Sequence, residues 1–292
     1  MKEWKRWPIK MIEKKDFPDL LKKISDCPEK LYYRGSWNEE LFIKTLAVVG
    51  SRALSRYGRE IISKFMPELI GQKITIISGF MYGVDSEAHR NCLELGGKTI
   101  AVLGSGLDEL YPSENDNLYT EILEKGGLVI SEYEPDFKAT LWSFPQRNRI
   151  VSALSTIGVF IVEAGLKSGS LITAKLALKQ KKNIFAIPGQ IGFKTAEGTN
   201  WLIQSGGAKM VTCVADILGN NSSCPNQQNL FKDYSNLSEL EKEIISVLEN
   251  EEVTIDELCQ KIRSPISEIS TTISMMLMRD LIVQENNKIY IS

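Results

Sequence analysis

Residues 157–178, IGVFIVEAGLKSGSLITAKLAL, decide the fold of this chain. The first six are apolar and mostly β-branched, apart from Gly158. The next eight, EAGLKSGS, are rich in glycine and serine, and Leu171, Ala174 and Leu178 then recur on one face at helical spacing. A buried strand, a glycine loop and a helix in that order form the repeating half of a βαβ unit. Working outward, further apolar runs at 46–49, 74–77, 99–103, 128–130 and 184–186 predict strands buried on both faces. The intervening helical patterns include Ile61, Ile62, Phe65, Met66, Leu69 and Ile70, interrupted by Pro67, which predicts a kink or break. Alternation of this kind from 45 to 218 predicts an α/β domain on a mostly parallel, doubly wound sheet.

The flanks differ in character. Residues 1–44, with Trp4, Trp7, Phe17, Tyr32, Tyr33 and Trp37, carry too many aromatics for a disordered tail and are too few for a domain. They are expected to pack on the sheet. Residues 219–236 are polar and turn-rich and read as a linker. Residues 237–292 predict three helices and a hairpin: an amphipathic stretch, a helix capped by Thr254 and Glu257, a helix opened by Pro265, and two strands around Asn286-Asn287. That pattern suggests a winged helix-turn-helix.

Composition narrows the function classes. The 292 residues are 43% hydrophobic and 25% charged, as in an ordinary globular chain, with 35 basic against 37 acidic residues. The balance is uneven: residues 237–292 hold five basic and eleven acidic side chains, a net of −6, which leaves +4 for the chain before them. Anionic partners are therefore expected on the first part. Five widely spaced cysteines without a C-x-x-C pair argue against a disulfide framework and a thiolate zinc site. With no apolar leader or membrane-length run, a cytoplasmic location is expected.

Several catalytic templates fail. GGKT at 96–99 has Cys92 where a Walker loop needs its first glycine, GSG at 104–106 meets Glu109 at the third fingerprint position, and no G-x-S-x-G occurs. The single histidine, His89, reads as a helix-packing residue. No catalytic residue, cofactor or metal is expected.

What remains is a set of glycine loops, each following a predicted strand: Gly50 to Arg52, Ser78 to Gly83, Gly104 to Gly106 and Glu163 to Ser170. Open α/β sheets bind ligands at that edge, where backbone N–H groups and helix N-termini favour anions. Tight turns account for any one glycine, less readily for four loops. Arg52, Lys138, Arg147, Arg149 and Lys175 offer cations, and Phe80, Trp142 and Phe144 offer rings, although core packing is the preferred account of Trp142. Lys179, Lys181 and Lys182 read as a solvated helix end. Cations alternating with aromatic faces suit a single strand of nucleic acid, whose unpaired bases stack while its backbone follows the charges.

The same residues resemble a known family. AVVGSR, SGFMYGVDSEAH, GGKTIAVLGSGLDELYP, GGLVISEY, FPQRNRIVSALS, the stretch 157–178, IFAIPG and EGTNWLIQSGGAKMV are similar throughout to the DNA-processing protein A family (DprA/Smf), over about 16–218. The resemblance implies an extended Rossmann fold with a C-terminal winged helix. It also implies single-stranded DNA binding, a homodimer formed through the Rossmann-like domain, and loading of RecA in natural transformation. The DNA-binding positions it implies are Ser51, Arg52, Gly79, Gly83, Phe144, Arg147, Asn148, Arg149, Gly169, Ser170, Thr173 and Lys175. Tyr82 and Lys175 stand where the family usually has arginine. Two other readings remain. One is a nucleotide-binding or nucleoside-monophosphate-hydrolysing enzyme using Glu163, for which the P-G-G-x-G-T loop is missing. The other is a transcription regulator, for which the acidic tail with Arg279 alone on its presumed recognition helix is poorly suited.

Overall fold

Two antiparallel strands, β1 (Lys10–Glu13) and β2 (Lys30–Gly35), lead into the series β3 (Thr45–Val49), β4 (Thr75–Ser78), β5 (Thr99–Val102), β6 (Leu128–Ser131), β7 (Gly158–Ile161), β8 (Ile184–Ala186) and β9 (Lys209–Met210). In this computed structural model, which describes residues 2–219, 237–248, 253–262, 264–279, 281–285 and 288–291, they form one nine-stranded sheet. Its order is β1-β2-β6-β5-β4-β3-β7-β8-β9. From β6 to β9 every pairing is parallel. The chain divides into two compact units, residues 1–222 and 223–292.

Each inner strand is apolar along its whole length because both sides are covered. Around the sheet lie α1 (Asp19–Lys22), α2 (Arg56–Gly71), α3 (Val84–Glu94), α4 (Asp116–Glu124), α5 (Ser143–Ala153), α6 (Gly169–Lys179), α7 (Glu197–Gln204) and α8 (Val214–Leu218). Ala47, Val49, Val102, Val159 and Ile161 pack with Ile150 and Val151 of α5 and Ala174 and Ala177 of α6. The alternate residues Leu46, Val48, Ile76 and Phe160 pack with Ile62, Phe65 and Leu69 of α2 and Val84 and Ala88 of α3.

Three expectations change here. Residues 1–44 do not simply lie on the sheet: β2 pairs antiparallel with β6, Tyr33 opposite Ile130, and so widens it. The aromatics still pack inward, and Trp4 is fully buried, its indole 4.8 Å from Tyr119 and its Nε1 donating to Asp116 Oδ1 at 2.6 Å. Second, α2 runs unbroken through Pro67. Pro67 and Ser63, whose carbonyl loses its donor, are both exposed, so water can replace that bond, while buried Ile62, Phe65, Met66 and Leu69 hold the helix on the sheet. Third, Cys213 is disulfide-bonded, whereas Cys27, Cys92 and Cys259 are free thiols. Among the described residues no cluster could hold a metal ion, and no helix is long and apolar enough to cross a membrane.

The second unit holds α9 (Glu239–Leu248), α10 (Ile255–Ile262), α11 (Ile266–Met278) and the antiparallel pair β10 (Ile282–Glu285) and β11 (Lys288–Ile291). The Thr254–Glu257 capping box is present, with Thr254 N donating to Glu257 Oε2 at 2.7 Å and Glu257 N to Thr254 Oγ1 at 3.3 Å. Ser238 and Glu241 form a second such box that the sequence reading missed. On α11 Met276 is buried, while Met275 and Met278 face solvent. Residues 220–236 of the expected linker and the Asn286-Asn287 turn lie outside the described residues.

Arg34 stitches the added strand to the rest of the domain. Its guanidinium is buried, donating to Trp7 O at 2.9 Å, Leu107 O at 2.8 Å and Asp108 Oδ1 at 2.9 Å, and it lies over the Trp4 ring. Replacing it strands buried carbonyls without donors. Arg34→Ala is expected to cost about 3 kcal/mol of stability, read as a lower urea midpoint at unchanged slope.

Candidate nucleic-acid interface

The strand order reverses direction at β3, which has β4 on one side and β7 on the other. Loops leaving neighbouring strands there run to opposite faces of the sheet and leave a crevice. A cleft of about 670 Å³ opens at this point, lined by Ser51 and Arg52 after β3, Gly79 after β4, Phe144, Arg147 and Asn148 of α5, and the β7–α6 loop with the first turn of α6.

The α6 end is built for an anion. Ser168 caps it, its Oγ accepting from Ser170 N at 3.3 Å, and Gly169, Ser170 and Thr173 line the cleft beside it. The positive end of the helix dipole favours negative charge there. Arg52 is exposed, makes no ion pair among the described residues and sits 5.4 Å from the centroid of the Phe144 ring. Phe144 in turn rests against Gly104, where a Cβ would come within 2.7 Å of its Cδ1, and lies 5.4 Å from Tyr111. A glycine read as a phosphate-loop residue therefore seats a ring. Gly83 has φ of +75°, and a Cβ there would overlap Ser51 O and Arg52 O, so it allows two of the loops to touch. The Ser51 amide is already used, donating to Glu163 O at 2.8 Å.

Several cations and rings are placed differently from the sequence reading. Arg147 is buried, with its Nη1 donating to Gly79 O and Val102 O and its Nε to Asn148 Oδ1 at 3.1 Å. It braces the cleft floor instead of presenting a free charge. Arg149 is buried away from the cleft and paired with Glu132 at 2.6 Å and Asp26 at 3.1 Å. Lys138 and Lys175 are exposed but do not line the cleft. Phe80 is fully buried against His89 and Tyr119, so it cannot stack on a base. Trp142, expected in the core, is instead 57% exposed, with its ring on Tyr133 and Phe137. Tyr82 donates its hydroxyl to Glu114 at 2.7 Å. Two cleft cations were missing from the expected set, Lys167 and Lys194. Lys167 sits inside the EAGLKSGS loop and was legible there. Lys194 follows β8, in a stretch with no periodic signal.

Buried polar groups lie beneath the cleft. A Cβ at Gly79 would come within 2.6 Å of Asp85 Oδ2 and 2.8 Å of Arg147 Nη2, so this glycine makes room for an internal charge pair. Burial pushes the Asp85 carboxyl up to about 6, although Arg147 opposes the shift, and burial lowers the Arg147 guanidinium to about 10. His89 is fully buried, its Nδ1 2.6 Å from Thr99 Oγ1, and burial drives its imidazole down to about 3, leaving it neutral. Glu163 is turned from the cleft to the start of α2, accepting from Ser55 N at 3.0 Å and from Ser55 Oγ.

A mostly parallel sheet whose glycine loops, cations and one helix N-terminus meet at the switch point defines a Rossmann-like protein with a cleft at that point. Residues 9–222 match the family described as DNA recombination-mediator protein A, and the chain belongs to that family. It is 37% identical to protein Smf of Escherichia coli K12 over 262 residues, 87% of this chain and 69% of that protein. It is 41% identical to DNA processing protein DprA of Streptococcus pneumoniae over 217 residues, 74% of this chain and 75% of that one. The crystal structure of the pneumococcal protein superposes with a TM-score of 0.67 over 75% of this chain and 76% of that chain. DNA processing protein A from Helicobacter pylori, described for its single-stranded DNA binding mode, superposes with a TM-score of 0.66 at 33% identity, covering 75% of this chain and 97% of that one.

Asp85 supplies a pH test of the cleft floor. Its folded-state value of about 6 lies above the ordinary 3.8, so the folded chain holds this proton more tightly than the unfolded one. The stability this gives is present below about pH 4 and is lost as pH rises through about 6. The melting temperature of Asp85→Asn, measured against the parent protein, should therefore shift in the variant's favour between about pH 4 and pH 7 and level off above.

Proposed function

We propose that this chain binds single-stranded DNA along the cleft over β3 and β7 and delivers it to RecA during homologous recombination, including natural transformation. It acts as a homodimer in the cytoplasm and catalyses no covalent step. The observation that carries the reading is the convergence of Arg52, Lys167, Phe144 and the α6 N-terminus on one cleft. Phosphates fit the cations and helix end, and the ring offers a face to an unpaired base. A duplex offers no such face. The hydrolase reading loses its carboxylate, since Glu163 is committed to Ser55. We read the second unit as a winged helix that contacts protein. In support, Arg279, at the end of α11, pairs with Glu241 at 2.7 Å, and residues 237–292 are net acidic.

The test is fluorescence anisotropy with oligo-dT over a salt series. Arg52→Ala and Lys167→Ala should each weaken binding and flatten the slope of log affinity against log salt by about 0.7, with melting temperature unchanged. Arg149→Ala should leave the slope alone and cost about 3 kcal/mol of stability, because Glu132, largely shielded from solvent, loses its cation. Equal affinity for duplex and single strand, or no binding at low salt, overturns the reading. Delivery and pairing are tested separately. The chain should sediment as a dimer and speed RecA assembly on DNA already coated with single-strand-binding protein, and removing residues 237–292 should change oligo-dT affinity by less than about tenfold, as expected if phosphate contacts dominate.

A further inference from the structure

The turn between β8 and α7 carries side chains that the fold does not use. Ile191 is 93% exposed and Phe193 55% exposed, with Leu166 of the neighbouring β7–α6 loop at 57%. No aromatic ring packs on Phe193 among the described residues. The turn is nonetheless fixed. Asn200 grips its first foot, accepting from Gly189 N at 3.0 Å and donating to Gly189 O at 2.9 Å. At the second foot Gly198 N donates to Ala164 O at 2.7 Å, and within the turn Ala196 N donates to Phe193 O at 2.9 Å. Lys194 O lies so close to Gly165 that a Cβ there would come within 2.9 Å of it, so the turn leans on the β7–α6 loop. An exposed ring held on a braced turn loses little entropy when a flat ligand covers it.

The surroundings say what covers it. Lys194 and Thr195, next in sequence to Phe193, line the same cleft as Arg52 and Ser168, and Lys167 lines it from the adjoining loop. The charged residues lining that cleft are Arg52, Arg147, Lys167 and Lys194 against the single carboxylate of Asp85, which faces Arg147 beneath. An apolar protein segment gains nothing from these cations. A base stacked on the ring, with its phosphates on the lysines, satisfies both.

We propose that the 190–195 turn is a second base-stacking platform, with Phe193 as its ring and Lys167 and Lys194 as its phosphate contacts, taking nucleobases beyond the one at Phe144. This rests on the single-stranded DNA reading above. It makes the site two-pointed: a strand long enough to reach both rings binds more tightly than one reaching Phe144 alone.

The experiment places 2-aminopurine at successive positions of an oligo-dT and reads its quenching on binding. The parent protein should quench at two separated positions. Phe193→Ala should restore fluorescence at one, weaken binding of long oligomers by about tenfold, the order of one stacked base, and leave short ones unchanged. Phe193→Trp should retain both positions. Phe144→Ala should remove the other position only. If the parent binds and Phe144→Ala weakens it while Phe193→Ala changes neither affinity nor quenching, this inference falls and the DNA reading stands. If Phe193→Ala instead alters the sedimenting mass with binding per subunit unchanged, the turn is a protein contact and the inference falls. If the parent fails to bind at all, the DNA reading itself fails.

Discussion

A buried guanidinium holds the cleft in shape. Arg147 reaches from α5 beneath the sheet edge and donates to the carbonyls of Gly79 and Val102, at the ends of two neighbouring parallel strands. Carbonyls at such ends lose their ladder partners where the loops diverge, and leaving them dry and unpaired is costly. One planar fork satisfies both and ties α5 to the β4 and β5 ends at once. Asp85 provides a nearby opposite charge and Gly79 the space. Phe144 is carried by the same helix, so the ring offered to a ligand is positioned by a cation that the ligand never needs to touch.

This division of labour separates charges that look alike in the chain. Arg147 and Arg149 are two residues apart, yet both are consumed internally, one by carbonyls and one by Glu132 and Asp26. The exposed charges at the cleft are Arg52, Lys167 and Lys194, each from a different crossover loop. Buried cations must be paired because desolvation is expensive, and a paired cation has little left for a phosphate. An anion site therefore draws on charges that the fold leaves wet, together with helix amides that carry no formal charge.

Much of the architecture was legible in the chain. Six inner strands announced themselves because burial on both faces demands uninterrupted apolar runs, and the Thr254–Glu257 box and Pro265 fixed helix starts by local chemistry alone. What escaped was whatever local chemistry does not specify. β1 and β9 have exposed or partly exposed residues and no apolar run. Pro67 argued for a break that tertiary packing of α2 overrode.

The sequence by itself determined the strand–loop–helix rhythm, the glycine loops at one sheet edge and the family, because periodicity and close backbone approach are written in residue types. Only the tertiary structure decided which cations and rings face the cleft. Exposure depends on how crossovers from distant segments pack, so Phe80 went to the core and Arg147 under the floor, while Lys194, silent in the chain, came to the rim.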